Sequence, residues 1–419
     1  MATAQPGVVA RFIGLKGYFR MKEISGGITA PKGFLASGIY AGIKRNKKLD
    51  LAVLYSERDA VAVGVFTMNR VKAAPVILTQ RQIRSGAARA VIVNSGNANA
   101  CTGKRGMSDA REMAGLTADA FGIDKRLVCV ASTGVIGEPL PMERIRPAIK
   151  PGVDGLSEKG GGDAALAIMT TDTFPKEAAV SGKIGGRTVT LGGIAKGSGM
   201  IAPRMATMLA FISTDAVIGR EVLTGIFKNT ADRTFNKITV DGDTSTNDMA
   251  LCLANGMAGN RSLEGKGLRQ FEEMLDHVCT KLSRMIVMDG EGATKLVEVR
   301  VMGARGQRDA EKVGFAVANS SLVKTALFAC DPNWGRIMAA IGYSGAHVRE
   351  EGISVSFDKV QLVRNGAGLG KEIEKKVVEV MRRREYAITI DLNAGRAGAT
   401  VLTTDLTYDY VKINVAYRS

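Results

Sequence analysis

The chain has 419 residues, 45% of them hydrophobic and 23% charged, with a formal charge of +16 at pH 7. That length can bury a large core and suits two or more domains, and no apolar run approaches the roughly eighteen residues that span a bilayer. Five cysteines (Cys101, Cys129, Cys252, Cys279 and Cys330) are odd in number and widely spaced. They argue against a disulfide framework or a zinc ribbon and for a reducing compartment, the cytoplasm.

Residues 1–22 lack Asp and Glu but carry Arg11, Lys16, Arg20 and Lys22. Transit peptides share that composition, yet Met21 offers a plainer reading, in which the first twenty residues precede the true start and 1–25 is an N-terminal extension. Further on, Ala90–Val93 reads as a short strand entering a small-residue loop, Asn94 to Ala100. Ser108 and Asp109 cap a helix that Gly122 ends. Leu127–Ala131 reads as a second strand, closing in the turn Ser132-Thr133-Gly134-Val135-Ile136-Gly137. Helical patterns follow near 216–235, 262–285 and 371–384. Strand-like alternation marks Ile353–Phe357, Ala387–Leu392 and Tyr408–Val415. The expected fold class is α+β with a layered core.

The two histidines, His277 and His347, lie apart from any Ser or Cys signature, so a histidine-based triad has no support. The positive charge invites a nucleic-acid reading, but the bases are spread thinly, with short clusters at Arg45–Lys48 and Arg382–Arg384. No zinc finger, helix-turn-helix or aromatic-rich surface accompanies them, so the expectation is a solvated basic surface without nucleic-acid or membrane partners. A non-enzymatic basic binding protein stays as an alternative, to be separated by salt-dependent nucleic-acid affinity.

The most informative stretch is Lys196-Gly197-Ser198-Gly199-Met200-Ile201-Ala202-Pro203, followed by Arg204-Met205-Ala206-Thr207-Met208-Leu209. Thr207 opens an apolar run to Ile212 that reads as a buried strand. Threonine is a weak nucleophile without a base beside it. Scission before Thr207 would free an α-amine of pKa near about 8, suited to that task. Ala206 leaves room for the attack. The plain alternative is a β-branched residue opening a strand after a loop. Likewise Ser132-Thr133-Gly134 offers a hydroxyl and an accessible N–H, or simply a turn. The run Ile238 to Asp248 crowds carboxylates and amides but lacks calcium-hand spacing, so it reads as a structural turn near the site with no metal.

Taken together, these segments resemble the arginine-biosynthesis ornithine acetyltransferases, the bifunctional glutamate N-acetyltransferase family. The resemblance runs from about Gly26 to Ser419 and includes Gly26-Gly27-Ile28-Thr29-Ala30-Pro31, Ser132 to Gly137 and Asp331-Pro332-Asn333-Trp334-Gly335-Arg336. One departure is Arg204, where most members carry asparagine. The resemblance implies a layered ornithine-acetyltransferase fold, similar to N-terminal-nucleophile hydrolases and self-cleaved between Ala206 and Thr207. The α chain would be 26–206 and the β chain 207–419. It implies transfer of acetyl from N-acetylornithine to glutamate by a ping-pong acyl-enzyme on Thr207, with Thr133 and Gly134 as the oxyanion hole. Substrate binding would fall to Thr173, Lys196, Thr207, Glu291, Asn414 and Ser419, with Thr170 and Thr171 competing for the role of Thr173. No cofactor is implied, acetyl-CoA stays open as a second donor, and relatives assemble as an α2β2 heterotetramer. An N-terminal-nucleophile amidohydrolase or aminopeptidase is the enzymatic alternative.

Overall fold

Runs of small and β-branched apolar residues form the strands of a large mixed sheet, and amphipathic segments form helices on both its faces. The protein, a computed structural model, is described for residues 19–45, 47–202 and 208–416. Among these residues the first sheet holds β1 (Met21–Glu23), β2 (Phe34–Ile39), β3 (Leu51–Phe66), β4 (Ala87–Asn97), β5 (Val128–Val135), β6 (Lys176–Ile184), β7 (Arg187–Lys196), β8 (Leu209–Thr214) and β9 (Met249–Ala254). Their order is β1-β6-β7-β8-β9-β3-β4-β5, with β2 beside β3. The second sheet joins β10 (Leu296–Ala304), β11 (Ser354–Phe357), β12 (Val360–Arg364), β13 (Ala367–Gly368), β14 (Glu385–Asp391) and β15 (Ala397–Thr404) in the order β13-β12-β11-β14-β10-β15.

Helices cover the first sheet on both sides. Helices α1 (Ala74–Gln82), α2 (Gly103–Phe121) and α3 (Met142–Asp154) share one core with β4 and β5, α4 (Gly161–Ala167) packs in a second core on the opposite side of those strands, and α5 (Arg220–Arg233) and α6 (Gly265–Met288) form a third with β6 to β9. Alternate residues of β8 serve the two cores: Ala210 and Ile212 meet Phe227 and Phe271, while Leu209 and Phe211 meet Ile168 and Leu251. That double burial explains why β8 and β9 read as unbroken apolar runs rather than as alternation. On the second sheet α7 (Gln307–Asn319), α8 (Ser321–Ala329), α9 (Trp334–Tyr343) and α10 (Lys371–Met381) close a separate apolar core around Val299, Val313, Ile341 and Ile388. A last helix, α11 (Tyr408–Ala416), follows β15.

The layered α+β expectation matches this architecture, but four local readings need correction. The loop expected from Asn94 is strand as far as Asn97, because β4 pairs in parallel with β5 along that whole length. For the same reason Ser132, Thr133 and Gly134 belong to β5 rather than to a turn. Helix α2 starts at Gly103, ahead of Ser108 and Asp109, although Gly122 does close it in the left-handed region at φ 64°. The fourth is Tyr408–Val415, expected as strand and found as helix. Thr407 Oγ1 accepts the Tyr410 N–H at 3.3 Å, a side-chain cap that starts a helix. No helix among the described residues is long and apolar enough to cross a membrane. All five cysteines are unpaired.

Candidate active site

Parallel pairing of β4 with β5 sets Ser95 against Thr133 and Gly96 against Gly134. Gly134 has φ 134°, and a Cβ there would lie 2.3 Å from the Gly96 carbonyl carbon and 2.5 Å from Asn97 N. Only glycine fits such a backbone approach. Thr133 beside it is buried, 4% exposed.

A buried charge cluster lies at the end of β7. Lys176 Nζ donates to Asp172 Oδ1 at 2.7 Å and to Asp289 Oδ2 at 2.5 Å, and Lys196 Nζ lies 3.8 Å from Asp172 Oδ2. Asp172 also accepts the N–H groups of Thr170 and Gly197. Burial pushes the Asp172 pKa up, but Lys196, Lys176 and these hydrogen bonds outweigh it and hold the carboxyl well below the usual carboxylate range. Burial pushes the Lys196 pKa down, and Asp172 opposes that. A substrate carboxylate beside Lys196 would favour its charged form further, so anion binding and protonation reinforce each other there.

Glu291 comes from the turn after α6, where its N–H donates to Ser198 O at 3.1 Å. A Cβ on Gly199 would meet the Glu291 carboxylate at 2.4 Å, so the missing side chain makes space for it. Helix α11 then closes over the same point. Asn414 Nδ2 donates to Glu291 Oε2 at 2.8 Å, and the Tyr410 hydroxyl lies 3.3 Å from Asp241 Oδ2. Asp241 accepts the N–H groups of Met200 and Ile201. Burial still pushes its pKa up to about 6.

These groups surround one cavity of about 150 Å³, lined by Thr133, Gly134, Lys196, Glu291, Asn414 and the residues between them. Thr170 and Thr171 line it as well. Thr173 instead gives its N–H and hydroxyl to Asp289, beneath the lining. Thr207, Ala206 and Ser419 lie outside the described residues. Met208, the next residue after Thr207 in the sequence, donates its N–H to Asp248 Oδ1 at 3.0 Å.

Sequence reasoning missed Asp172, Asp289, Asp241 and Tyr410. Two of them had a signal. Asp172 lies between the candidates Thr171 and Thr173, and Asp241 is the first carboxylate of the run Ile238 to Asp248.

The cavity thus sets two backbone-rich strand ends, a lysine and a carboxylate around a volume suited to a small amino acid. The sequence model of the ArgJ family matches residues 35–419. This chain belongs to the ArgJ family. It is 53% identical over 390 residues to the arginine biosynthesis bifunctional protein ArgJ of Geobacter sulfurreducens, covering 93% of this chain and 99% of that protein. The ArgJ protein of Symbiobacterium thermophilum is 52% identical over 403 residues, covering 95% and 100%. The glutamate N-acetyltransferase of Methanocaldococcus jannaschii is 49% identical over 409 residues, again covering 95% and 100%. The ArgJ relatives thus extend over nearly the whole chain.

Proposed function

We propose that this ArgJ-family chain is a glutamate N-acetyltransferase of arginine biosynthesis, moving acetyl from N-acetylornithine to glutamate through an acyl-enzyme on Thr207. The observation that carries this reading is the convergence of Thr133, Gly134, Lys196, Glu291 and Asn414, from distant parts of the chain, on a single cavity. Family membership supports the same activity.

Self-cleavage breaks the Ala206–Thr207 peptide bond and frees the Thr207 α-amine. The amine takes the hydroxyl proton as Oγ attacks the acetyl carbonyl carbon, and a tetrahedral oxyanion forms toward the Thr133-Gly134 backbone. Collapse breaks the amide C–N bond and ornithine leaves carrying the proton, with acetyl now esterified to Oγ. The amine of glutamate attacks that ester, N-acetylglutamate departs, and Oγ–H is restored. Lys196 suits the α-carboxylate that both substrates share, and Glu291 suits the ornithine ammonium. Thr170 and Thr171, on the lining, are better placed than Thr173 to touch substrate. Acetyl-CoA could load the same hydroxyl, with release of CoA thiol as the readout. The α and β chains stay together after the cut, because β8 and β9 follow Thr207 yet pair within the first sheet. We place two such pairs in an α2β2 assembly in the cytoplasm, in keeping with the unpaired cysteines.

Glutamate-dependent release of ornithine from N-acetylornithine tests the activity. The parent is expected to run as two fragments on a denaturing gel, and Thr207→Ala as one uncut, inactive chain. Release of acetate regardless of glutamate would instead establish a hydrolase.

A further inference from the structure

In the first sheet β5 carries Thr133 and Gly134, and β8 follows directly on Thr207. Between them in the strand order lie β9, β3 and β4. Pairing alone therefore does not hold these two strands together. Two adjacent side chains at the foot of β9 do. Asn247 Nδ2 donates to Ser132 O at 2.8 Å, on the residue just before Thr133, and to Ala98 O at 2.6 Å. The neighbouring Asp248 accepts the Met208 N–H through Oδ1 at 3.0 Å.

The dipeptide is itself held rigidly. Thr246 Oγ1 donates to Asn247 Oδ1 at 2.6 Å, which fixes the amide so that its NH2 faces the two carbonyls. Asn247 N donates to Ser245 Oγ, Thr67 N to Asp248 O and Ala73 N to Thr246 O. Asn247 and Asp248 are buried, at 5% and 1% exposure. Loop residues with this many fixed contacts resist displacement, and buried polar groups so satisfied specify one geometry.

We infer that Asn247 and Asp248 are positioning residues, which hold the strand bearing the oxyanion site and the strand following the nucleophile in one fixed register. The inference rests on the acyl-transfer reading above. Attack needs the nucleophile within a few tenths of an ångström of its productive position relative to the oxyanion donors, and a misplacement of about 1 Å can cost on the order of a hundredfold in rate. Burial pushes the Asp248 pKa well above the usual range, with the Met208 N–H and Lys196 opposing it. An amide at 248 has the same shape and keeps an oxygen where Oδ1 accepts the Met208 N–H. Asparagine at 248 should therefore keep the acceptor that Met208 needs.

The test uses the purified full-length protein and four variants, Asn247→Ala, Asn247→Asp, Asp248→Ala and Asp248→Asn. Steady-state transfer, single-turnover formation of the acetyl-enzyme by mass spectrometry, the extent of self-cleavage and thermal melting are measured for each. Asn247→Ala and Asn247→Asp both lose the donors, and kcat should fall about 10- to 100-fold while KM for both substrates stays within about threefold. Asp248→Ala should slow both self-cleavage and acetyl-enzyme formation, and Asp248→Asn should recover most of each loss. An active parent with either Asn247 variant at parental kcat overturns the role of Asn247. Equal impairment of Asp248→Asn and Asp248→Ala overturns that of Asp248. Losses of kcat that merely follow the melting temperature, with KM rising in step, show a structural role and also overturn the inference. A parent that transfers no acetyl refutes the functional reading itself, and the positioning role falls with it.

Discussion

Lys176 and Lys324 are both buried, one beneath the cavity in the large sheet and the other between α8 and β15 in the small one. Their surroundings differ. Lys176 touches two carboxylates, Asp172 and Asp289, that are themselves buried. Among the described residues Lys324 Nζ donates to uncharged oxygens, at Thr404 O, Thr404 Oγ1 and Thr403 Oγ1. Burial accordingly pushes the Lys324 pKa down to about 8, although Asp405 and Asp241 act against it at longer range. Beneath the cavity the buried lysine is matched by two carboxylates, whereas in the small sheet the buried lysine meets neutral oxygens and its charged form is less favoured. Paired buried charges also hold Thr170, Thr173 and Gly197 in place through the same carboxylates.

The contrast can be broken most forcefully at Lys176. Lys176→Met would leave two buried carboxylates facing each other, and a loss of about 3–5 kcal/mol in denaturant unfolding is expected. A loss below about 1 kcal/mol would mean that the cluster contributes no such frame.

Asp241, which lines the cavity and also acts on Lys324, gives the next largest effect. Its native pKa of about 6 lies above the ordinary value of 3.8, so the folded protein binds its proton more tightly than the unfolded chain does. Its contribution to stability is therefore complete below about pH 4 and is lost as pH rises through about 6. Across that window the parent should lose about 2 kcal/mol relative to Asp241→Asn. Melts of both proteins at pH 4 and pH 7 check the sign.

Lys324→Met should have the smallest effect at neutral pH, within about 1 kcal/mol, because an apolar side chain replaces a poorly paired charge. The pH dependence is the sharper readout. The native Lys324 pKa of about 8 lies below the ordinary 10.5, so the unfolded chain binds more protons between those values and stability rises with pH across them. That rise should be absent from the methionine variant in melts at pH 8 and pH 10. An unchanged slope would show that Lys324 keeps its charge after all.

Much of the fold was legible locally. The helices near 262–285 and 371–384, and the apolar strands at β4, β5 and β8, follow from periodicity over ten or so residues. The failure at Tyr408–Val415 is instructive. Tyr408, Val411 and Val415 stand exposed at 77%, 58% and 84%, so no core selected their spacing. The helix instead follows from the Thr407 cap and from Tyr410 and Asn414 reaching back to Asp241 and Glu291. At the site, the candidates Thr133, Gly134, Lys196, Glu291 and Asn414 came from resemblance, and the cavity brings them together. Asp172 and Asp289 were invisible as partners, because 113 residues separate Lys176 from Asp289 and nothing in spacing encodes their meeting.

By itself the chain of residues determined its elements, its family and the types of group available for acyl transfer, since periodicity, caps and motif runs all act over short spans. Tertiary structure decided which charges are paired, which of three neighbouring threonines face the cavity, and how the strands on either side of the site are tied together. Those outcomes depend on burial and on contacts between segments far apart in sequence, where the cost of leaving a polar group unpartnered selects one arrangement.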